Sequence, residues 1–327
     1  MKSRTAGSFA TAILGFMLWG NSALAQEAYP SKTIQMVVTT AAGGALDLVA
    51  RTLAERLSEQ MKQPVIIENN PAGNGSVAAG QFARATPDGH TLMMVVDSTI
   101  TINPHLYKNV SYDPFRDFAP ISVVTRLPLV LVVSAESKLD NLSSLLARAK
   151  ADPGKLTYAS TGLGTHLHIG MELFKLMTKT DILHVPYRAT TGAMADLMGG
   201  RIDMILIGQS SAKSQVDAGK LRALGIASAE RSSLMPTTPT IAESGVPGYE
   251  ASSMFAILAP ATTPPAIIER LAQEVKKAST HEKFIAALAP QGMEIIASTP
   301  AEMDKAMKET SKKWGDVITA TGTTINQ

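Results

Sequence analysis

Two glycine-containing segments carry residues whose types and spacing are suited to binding an anion. The first reads Thr39-Thr40-Ala41-Ala42-Gly43-Gly44-Ala45, and the second reads Ser160-Thr161-Gly162-Leu163-Gly164-Thr165-His166. Each follows a β-type run and precedes a helical pattern, so its backbone N–H groups lie at a helix N-terminus, where the dipole favours negative charge. Glycine lets a ligand approach the backbone, and hydroxyls add uncharged donors. Taken alone, each loop is equally an ordinary tight turn with an N-cap.

The elements that position the first loop form a regular alternation. Ile34–Thr39 is a β-type run, and the segment after the loop places Leu46, Leu53 and Leu57 on one helical face. Val65–Glu68 and Thr91–Val96 are further strands, separated by a loop and a short helix. This β-α-β-α-β order predicts right-handed crossovers and a parallel sheet covered by helices.

A second α/β unit begins at Leu129, contains the second glycine loop and ends with a strand at Leu221–Ala227. The strand Phe255–Leu258 and three helices complete the chain. We therefore predict two lobes, with residues 26–128 and 255–327 in the first and residues 129–254 in the second. Ligands of open α/β sheets bind at the carboxyl ends of strands. The two loops are thus expected to hold an anion in the cleft between the lobes.

Composition and charge exclude several classes of protein. The 327 residues include 30 Lys and Arg, 28 Asp and Glu, and no Cys. Lys2 and Arg4 are the only charged residues among the first 25, so the remainder has equal acidic and basic counts and no basic surplus for nucleic acid. Lys2 and Arg4 precede a short apolar stretch and Ala23-Leu24-Ala25, which predicts a signal peptide over residues 1–25 and a periplasmic protein. Without Cys there is no disulfide and no lipid-modified cysteine.

The more specific motifs of nucleotide-binding, hydrolytic and metal-binding proteins are absent or incomplete. Gly162-Leu163-Gly164 lacks the third glycine of a dinucleotide-binding fingerprint, since Leu167 stands there, and no Walker-type loop or G-x-S-x-G elbow occurs. His166, His168 and Glu172 have a spacing that could place metal ligands on one helix face, although packed or solvated histidines are the usual outcome. No metal and no cofactor are predicted.

Lone carboxylates leave a catalytic alternative open. Asp47, Asp97 and Asp203 could act as acids or bases, although capping and turn roles are commoner for such residues. A secreted hydrolase that uses His168 or a pair of acids is the alternative from a different functional class. Nothing in the sequence demands catalysis, so the prediction is a binding protein and not an enzyme.

An ordered series of short motifs resembles one known family over essentially the whole chain after residue 25. The motifs are Tyr29-Pro30-Ser31-Lys32, Gly43-Gly44-Ala45-Leu46-Asp47, Glu68-Asn69-Asn70-Pro71, Pro87-Asp88-Gly89-His90-Thr91-Leu92, Tyr112-Asp113-Pro114, Asp117-Phe118-Ala119-Pro120, His184-Val185-Pro186-Tyr187, and the stretches 153–160, 219–224 and 239–245. Each is short, but their succession is specific. The chain resembles the solute receptors of tripartite tricarboxylate transporters, the Bug family.

The resemblance implies a type II-like periplasmic binding fold, α/β with parallel or mixed sheets flanked by helices and a ligand cleft between two lobes. It further implies a monomer that closes on a small carboxylate and delivers it to a two-part membrane permease. Both glycine loops would hold ligand carboxylate groups. Carried over by position, the ligand-binding residues are Thr39, Thr40, Ala41, Ala42, Gly43, Gly44, Ala45, Asp47, Ser98, Thr99, Ser160, Thr161, Gly162, Gly164, Thr165, His166 and Gln209.

Four departures from the family pattern bear on the ligand. Ala41-Ala42 replace the prolines that are common before the glycine pair, so a less rigid loop is expected. Leu46 stands where a hydroxyl residue is common, and Gly208-Gln209 stand where many members have an acid that binds a ligand amine. His166 replaces a small polar residue and could donate to a carboxylate. These departures favour a dicarboxylate with an apolar middle, either aromatic and terephthalate-like or a medium aliphatic chain. A citrate-like tricarboxylate is the second choice.

Overall fold

The computed structural model describes residues 29–324, so the predicted signal peptide lies outside the described residues. The strands are β1 (Ile34–Val38), β2 (Val65–Asn69), β3 (Thr91–Val96), β4 (Phe118–Leu127), β5 (Leu129–Ser134), β6 (Thr157–Ser160), β7 (Leu183–Pro186), β8 (Met204–Gly208), β9 (Leu221–Ile226), β10 (Ser253–Pro260) and β11 (Glu294–Ile295). The helices are α1 (Ala45–Met61), α2 (Ser76–Phe82), α3 (Ser98–Thr101), α4 (Asn103–Leu106), α5 (Pro114–Asp117), α6 (Leu142–Ala151), α7 (His166–Thr178), α8 (Thr190–Met198), α9 (Gln209–Asp217), α10 (Pro265–Ser279), α11 (Glu282–Leu288) and α12 (Pro300–Thr321), with a 3-10 turn at Ala289–Gln291.

The first sheet has six strands in the order β11-β4-β10-β3-β1-β2. The strands β1, β2 and β3 are parallel, whereas β10 runs antiparallel between β3 and β4. One core joins the sheet to α1, α10 and α11 through Leu53, Leu271 and Phe284. Another core joins it to α2 and α12 through Phe82 and Met303. The predicted parallel β-α-β unit is present, and the returning strand β10 makes the sheet mixed.

The second sheet has five strands in the order β7-β6-β8-β5-β9. The strands β6, β7 and β8 are parallel, and β5 is antiparallel to both β8 and β9. Leu145 and Phe174 of α6 and α7 pack in one core of this half, and Leu197 and Ala212 of α8 and α9 pack in another. Two mixed sheets flanked by helices agree with the predicted fold class.

The strand β4 is a ten-residue element that the sequence pattern did not predict. Pro120 near its start argues against a strand, because proline cannot donate a ladder hydrogen bond. In the structure Pro120 pairs only with β10, since the two-residue β11 reaches no farther than Thr125 and Arg126. Pro120 thus lies in a part of β4 that has one paired neighbour, and within sheets proline is found at such edge positions.

The long helix α12 packs against both halves of the molecule. Its first turns bury Met303 and Met307 in a core of the first sheet, and its last turns bury Trp314 and Ile318 with residues of the second. A capping box between Thr299 and Glu302 fixes its start. The strands change sheets between β4 and β5 and again between β9 and β10. The independence of two lobes, divided at residues 128 and 254, stays a prediction.

Helix length and hydropathy bear on membrane insertion. Between residues 29 and 324, no helix combines the length and the apolar character that a membrane crossing requires.

Candidate ligand-binding site

A cavity of about 570 Å³ lies between residues that belong to the two sheets. From the side of the first sheet it is lined by Gly43, Gly44, Ala45, Asp47, Leu48, Arg51, Leu127 and Gln291. From the side of the second sheet it is lined by Leu167, Thr190, Ile207, Gly208, Ser210 and Ser211. The hydroxyl of Ser210 donates to the side-chain carbonyl of Gln291 at 2.7 Å, so the two sides also touch each other.

The first glycine loop brings the N-terminus of α1 to this cavity. Gly44 is the N-cap residue, with an extended backbone and no side chain to accept the first helical N–H groups. The first intrahelical hydrogen bond runs from Leu48 N–H to the Gly44 carbonyl, so the preceding N–H groups have no acceptor within the helix. Gly43 has φ +83°, a conformation that favours glycine. This end of the cavity therefore offers free donors and the positive end of a helix dipole.

Asp47 holds the first glycine loop in place. One carboxylate oxygen accepts from Gly43 N–H at 2.8 Å and from Arg51 Nε at 2.9 Å, and the other accepts from Asn69 Nδ2 at 2.9 Å. The Asn69 amide also donates to the Thr40 carbonyl at 3.0 Å. Burial acts to raise the pKa of Asp47, but the hydrogen bonds from Arg51, Gly43 and Asn69 outweigh it and lower the pKa below its ordinary value. Asp47 is thus an ionised residue that shapes the loop.

Two more helices begin at the opposite side of the cavity. The N-cap residues of α8 and α9 are Ala189 and Gly208, and neither supplies a side-chain cap. Thr190 of α8 and Ser210 and Ser211 of α9 place hydroxyl groups beside these helix starts. Three helix N-termini without side-chain caps therefore surround one cavity. Such termini favour an anion at each side.

The walls between these helix ends are apolar. Leu48 and Leu127 line the cavity from the first side, and Leu167 and Ile207 line it from the second. The one charged pair in the lining is Arg51 with Asp47, and Arg51 is 54% exposed. The arrangement can hold a ligand whose two ends accept hydrogen bonds and whose middle is hydrophobic.

The second glycine loop directs most of its polar groups inward. Gly162 N–H donates to the Ser160 hydroxyl, and Gly164 N–H donates to Nδ1 of His168. The Thr165 side chain is the N-cap of α7, accepting from His168 N–H while its hydroxyl donates to the Gly162 carbonyl. None of residues 160–166 lines this cavity, whereas Leu167, the next residue, does. A ligand contact from this loop stays a prediction.

The remaining predicted site residues lie at the following places. Gly43, Gly44, Ala45 and Asp47 line the cavity, and Thr39, Thr40, Ala41 and Ala42 precede them without lining it. Ser98 and Thr99 are buried in α3, Ser160 is buried under the second loop, and Thr161 is partly exposed. His166 is buried against Asp97, and Gln209 is fully buried with its side-chain carbonyl accepting from Ser232.

A buried histidine pair lies beneath the second loop. The rings of His168 and His184 are 4.3 Å apart, and His184 Nε2 lies 2.6 Å from the Ser160 hydroxyl. Tyr158 and Lys175 both donate to Glu172 nearby. Burial lowers the pKa of His168 and of His184 to about 4, and the neighbouring His184 further lowers that of His168. The folded protein therefore favours the neutral form of both rings at neutral pH.

We expect the chain to lose stability on acidification through this pair. A histidine whose folded pKa lies below its unfolded value binds more protons when unfolded, so stability falls as the pH drops from about 6.5 toward 4. Urea unfolding at about pH 7 and about pH 5 should differ by on the order of 2 kcal/mol. His168→Asn keeps an acceptor for Gly164 N–H without titrating, and should weaken this pH dependence. Equal stability of the wild type at both pH values would contradict the expectation.

The alternatives drawn from the sequence find little support in this geometry. Within residues 29–324, no group of three or more His, Asp or Glu side chains is placed to hold a metal ion. Asp203 accepts from the backbone N–H and the hydroxyl of Thr157, which is a structural role. His168 faces another histidine and a backbone N–H and is 4% exposed, so it is not placed to reach a substrate.

Several lining residues were missed from the sequence. Gly208 carries the same signal as Gly44, a glycine at a strand-to-helix turn with no capping side chain, and could have been found that way. Leu127, Leu167 and Gln291 carry no local signal, since apolar and amide residues are common everywhere. They line the cavity only because distant segments meet there.

Comparisons with known proteins give the family. The family model described as "Tripartite tricarboxylate transporter family receptor" matches residues 49–323. The UPF0065 protein in the tcbD-tcbE intergenic region of Pseudomonas sp. strain P51 is 35% identical over 303 residues, covering 92% of this chain and 90% of that protein. Protein BugT of Bordetella pertussis is 34% identical over 297 residues, covering 90% and 91%.

Solved structures agree in fold. A periplasmic transporter has a TM-score of 0.81 at 36% identity, covering 91% of this chain and 100% of the other. An R. palustris protein with adipate has a TM-score of 0.80 at 32% identity, covering 90% and 98%. MatC from Rhodopseudomonas palustris with bound malate has a TM-score of 0.78 at 28% identity, covering 89% and 100%. The periplasmic binding fold predicted from the sequence is confirmed, and the chain belongs to the tripartite tricarboxylate transporter receptors of the TctC or Bug type.

Proposed function

We propose that this receptor binds a dicarboxylate with an apolar middle, either a medium aliphatic chain or an aromatic ring, and delivers it to a two-part membrane permease. The observation that carries the proposal is the placement of three helix N-termini without side-chain caps around one cavity. The α1 terminus would bind one carboxylate through backbone N–H groups. The α8 and α9 termini, with Ser210 and Ser211, would bind the other.

The walls of the cavity favour two anionic ends over three. Leu48, Leu127, Leu167 and Ile207 line the same cavity as the helix ends, and a methylene chain or an aromatic ring gains by burial against them. A third carboxylate, as in citrate, would lose its hydration beside these side chains without a charged partner. The adipate and malate found with two structural neighbours are both dicarboxylates, which supports this ligand class.

The polar groups of the cavity also argue against an amino acid as ligand. An ammonium group needs a free carboxylate or several carbonyl acceptors. Asp47 is the acidic residue in the lining, and its two oxygens already accept from Gly43, Arg51 and Asn69. Gly208 and Gln209 add no acid at the start of α9. A ligand without an amine therefore fits these groups better.

Calorimetric titration of the purified protein tests the ligand class. The panel contains adipate, terephthalate, malate, citrate and glutamate. We expect adipate or terephthalate to bind most tightly, because only these combine two carboxylates with an extended apolar middle. Tighter binding of citrate or glutamate would overturn the proposed specificity. The recovered ligand should be chemically unchanged, whereas a hydrolase would yield product.

A further inference from the structure

The two halves of the molecule are joined at a buried polar contact away from the cavity. Asp97 directly follows β3 of the first sheet, and His166 is the first residue of α7, which packs on the second. Nε2 of His166 lies 2.7 Å from Oδ1 of Asp97, and the two side chains are 3% and 0% exposed. The Met254 N–H, in the strand that returns to the first sheet, donates to the same oxygen at 2.9 Å. The Trp314 ring of α12 lies edge-on to the His166 ring, 5.8 Å away between centroids.

The hydrogen bond to Asp97 is the one hydrogen bond that the His166 side chain makes among the described residues. Among the described residues, neither Nδ1 of His166 nor Oδ2 of Asp97 has a hydrogen-bond partner. A buried polar group that loses its partner retains the full cost of its desolvation. The Nε2–Oδ1 hydrogen bond therefore favours a single position of the start of α7 relative to the first sheet.

The start of α7 is connected directly to the wall of the cavity. Leu167, the residue after His166, lines the cavity opposite Leu48 and Leu127 of the first side. The other lining residues of the second side, on β8, α8 and α9, belong to the same sheet and its helices. A shift of α7 against the first sheet would therefore change the distance between the helix N-termini that face each other across the cavity.

We propose that Asp97 and His166 are positioning residues that set this separation and thereby the length of dicarboxylate that the cavity accepts. This inference rests on the proposed function, since it concerns the same cavity. Neither side chain lines the cavity, so both would act through the position of α7. Replacing them should therefore change the ratio of the affinities for a six-carbon and a four-carbon acid, rather than weaken both affinities equally.

The test compares variants that keep the hydrogen bond with variants that remove it. His166→Gln places an amide donor near the position of Nε2, and Asp97→Asn keeps an acceptor. His166→Ala and Asp97→Ala remove one partner each. The double variant Asp97→Leu with His166→Leu replaces both side chains by apolar groups, so neither side chain keeps an unpartnered polar atom and only the Met254 N–H loses its acceptor. It serves as the second variant without the hydrogen bond if either alanine variant unfolds. Circular dichroism confirms the fold of each variant.

Each protein is titrated with adipate and with malate, and the ratio of the two dissociation constants is compared. We expect His166→Ala, Asp97→Ala and the double leucine variant to bring this ratio at least about fivefold closer to one. His166→Gln and Asp97→Asn should stay within about twofold of the wild type. A general loss of stability would weaken both ligands together and leave the ratio unchanged.

The two proposals fail in different ways. If the wild type binds adipate more tightly than malate but the ratio is the same in all variants, the positioning role is overturned and the proposed function stands. The positioning role is also overturned if the glutamine and asparagine variants lose as much discrimination as the leucine pair. If the wild type binds none of adipate, malate and terephthalate, the proposed function fails and the positioning role fails with it.

Discussion

Gly44→Asp should lower the affinity for adipate by roughly 100-fold, which corresponds to about 2.7 kcal/mol, while the protein stays folded. Gly44 is the N-cap of α1, and aspartate is a preferred residue at that position. The introduced carboxylate would accept the helical N–H groups that are proposed to bind the ligand, and its charge would repel a ligand carboxylate. The φ of −84° and the nearest non-neighbouring atom at 3.6 Å, the Ala41 carbonyl oxygen, leave room for a side chain. Isothermal titration measures the loss, and thermal unfolding should give an equal or higher Tm.

Matched variants separate charge from size at this position. Gly44→Ala leaves the N–H groups free and should change the affinity by no more than about threefold. Gly44→Asn occupies the same N–H groups without a charge and should lie between the alanine and aspartate variants. If Gly44→Asp retains wild-type affinity, the N-terminus of α1 is not part of the ligand site.

Asp47→Ala should destabilise the protein by about 3 kcal/mol and weaken adipate binding at least about tenfold. The carboxylate, itself 5% exposed, accepts from Gly43, Arg51 and Asn69, and its removal breaks all three hydrogen bonds, although Asn69 keeps the Thr40 carbonyl as an acceptor and Arg51 is exposed to water. The glycine turn at the start of α1 would then lose the contact that fixes it. Urea unfolding and titration with adipate measure the two effects.

The pH dependence of this effect has a definite sign. The pKa of Asp47 is lower in the folded protein than its ordinary value, so its contribution is present above about pH 4 and is lost as the pH falls through the folded pKa. The stability difference between wild type and Asp47→Ala should therefore shrink in acid. Asp47→Asn keeps the shape of the side chain and one acceptor oxygen, so its stability should lie between that of the wild type and that of Asp47→Ala. A difference that grows on acidification would contradict ionisation of Asp47 in the fold.

The charge balance of the chain agrees with this mode of recognition. Beyond residue 25 the acidic and basic residues are equal in number, so the protein offers no bulk attraction for an anion. Arg51 is the basic residue of the cavity lining, and its Nε is paired with Asp47. Helix N-termini and hydroxyl groups supply directional donors without net charge, which suits selection among ligands of equal charge.

Local patterns in the sequence were sufficient for most of the element order, with β4 as an exception, and for the first half of the candidate site. The alternation of strands and helices depends on hydrophobic period and turn residues, which are readable within about ten residues. Gly43 and Gly44 indicate an uncapped helix start in the same way, because no capping side chain stands at that turn. The family, the α/β architecture and one uncapped helix start in the cavity lining were therefore within reach of the sequence alone.

Only the tertiary structure decided which groups line the other side of the cavity. The Thr165 hydroxyl suits a ligand contact or an N-cap equally well in sequence, and packing made it the cap of α7. His166 reads as a ligand donor until β3 places Asp97 against it. Gly208, Thr190 and Leu167 come together because each ends or follows one of the neighbouring parallel strands β8, β7 and β6 of the second sheet. The strand-to-helix junctions of these strands meet at their carboxyl ends. Strand order is set by contacts between residues far apart in the chain, and local sequence carries no record of them.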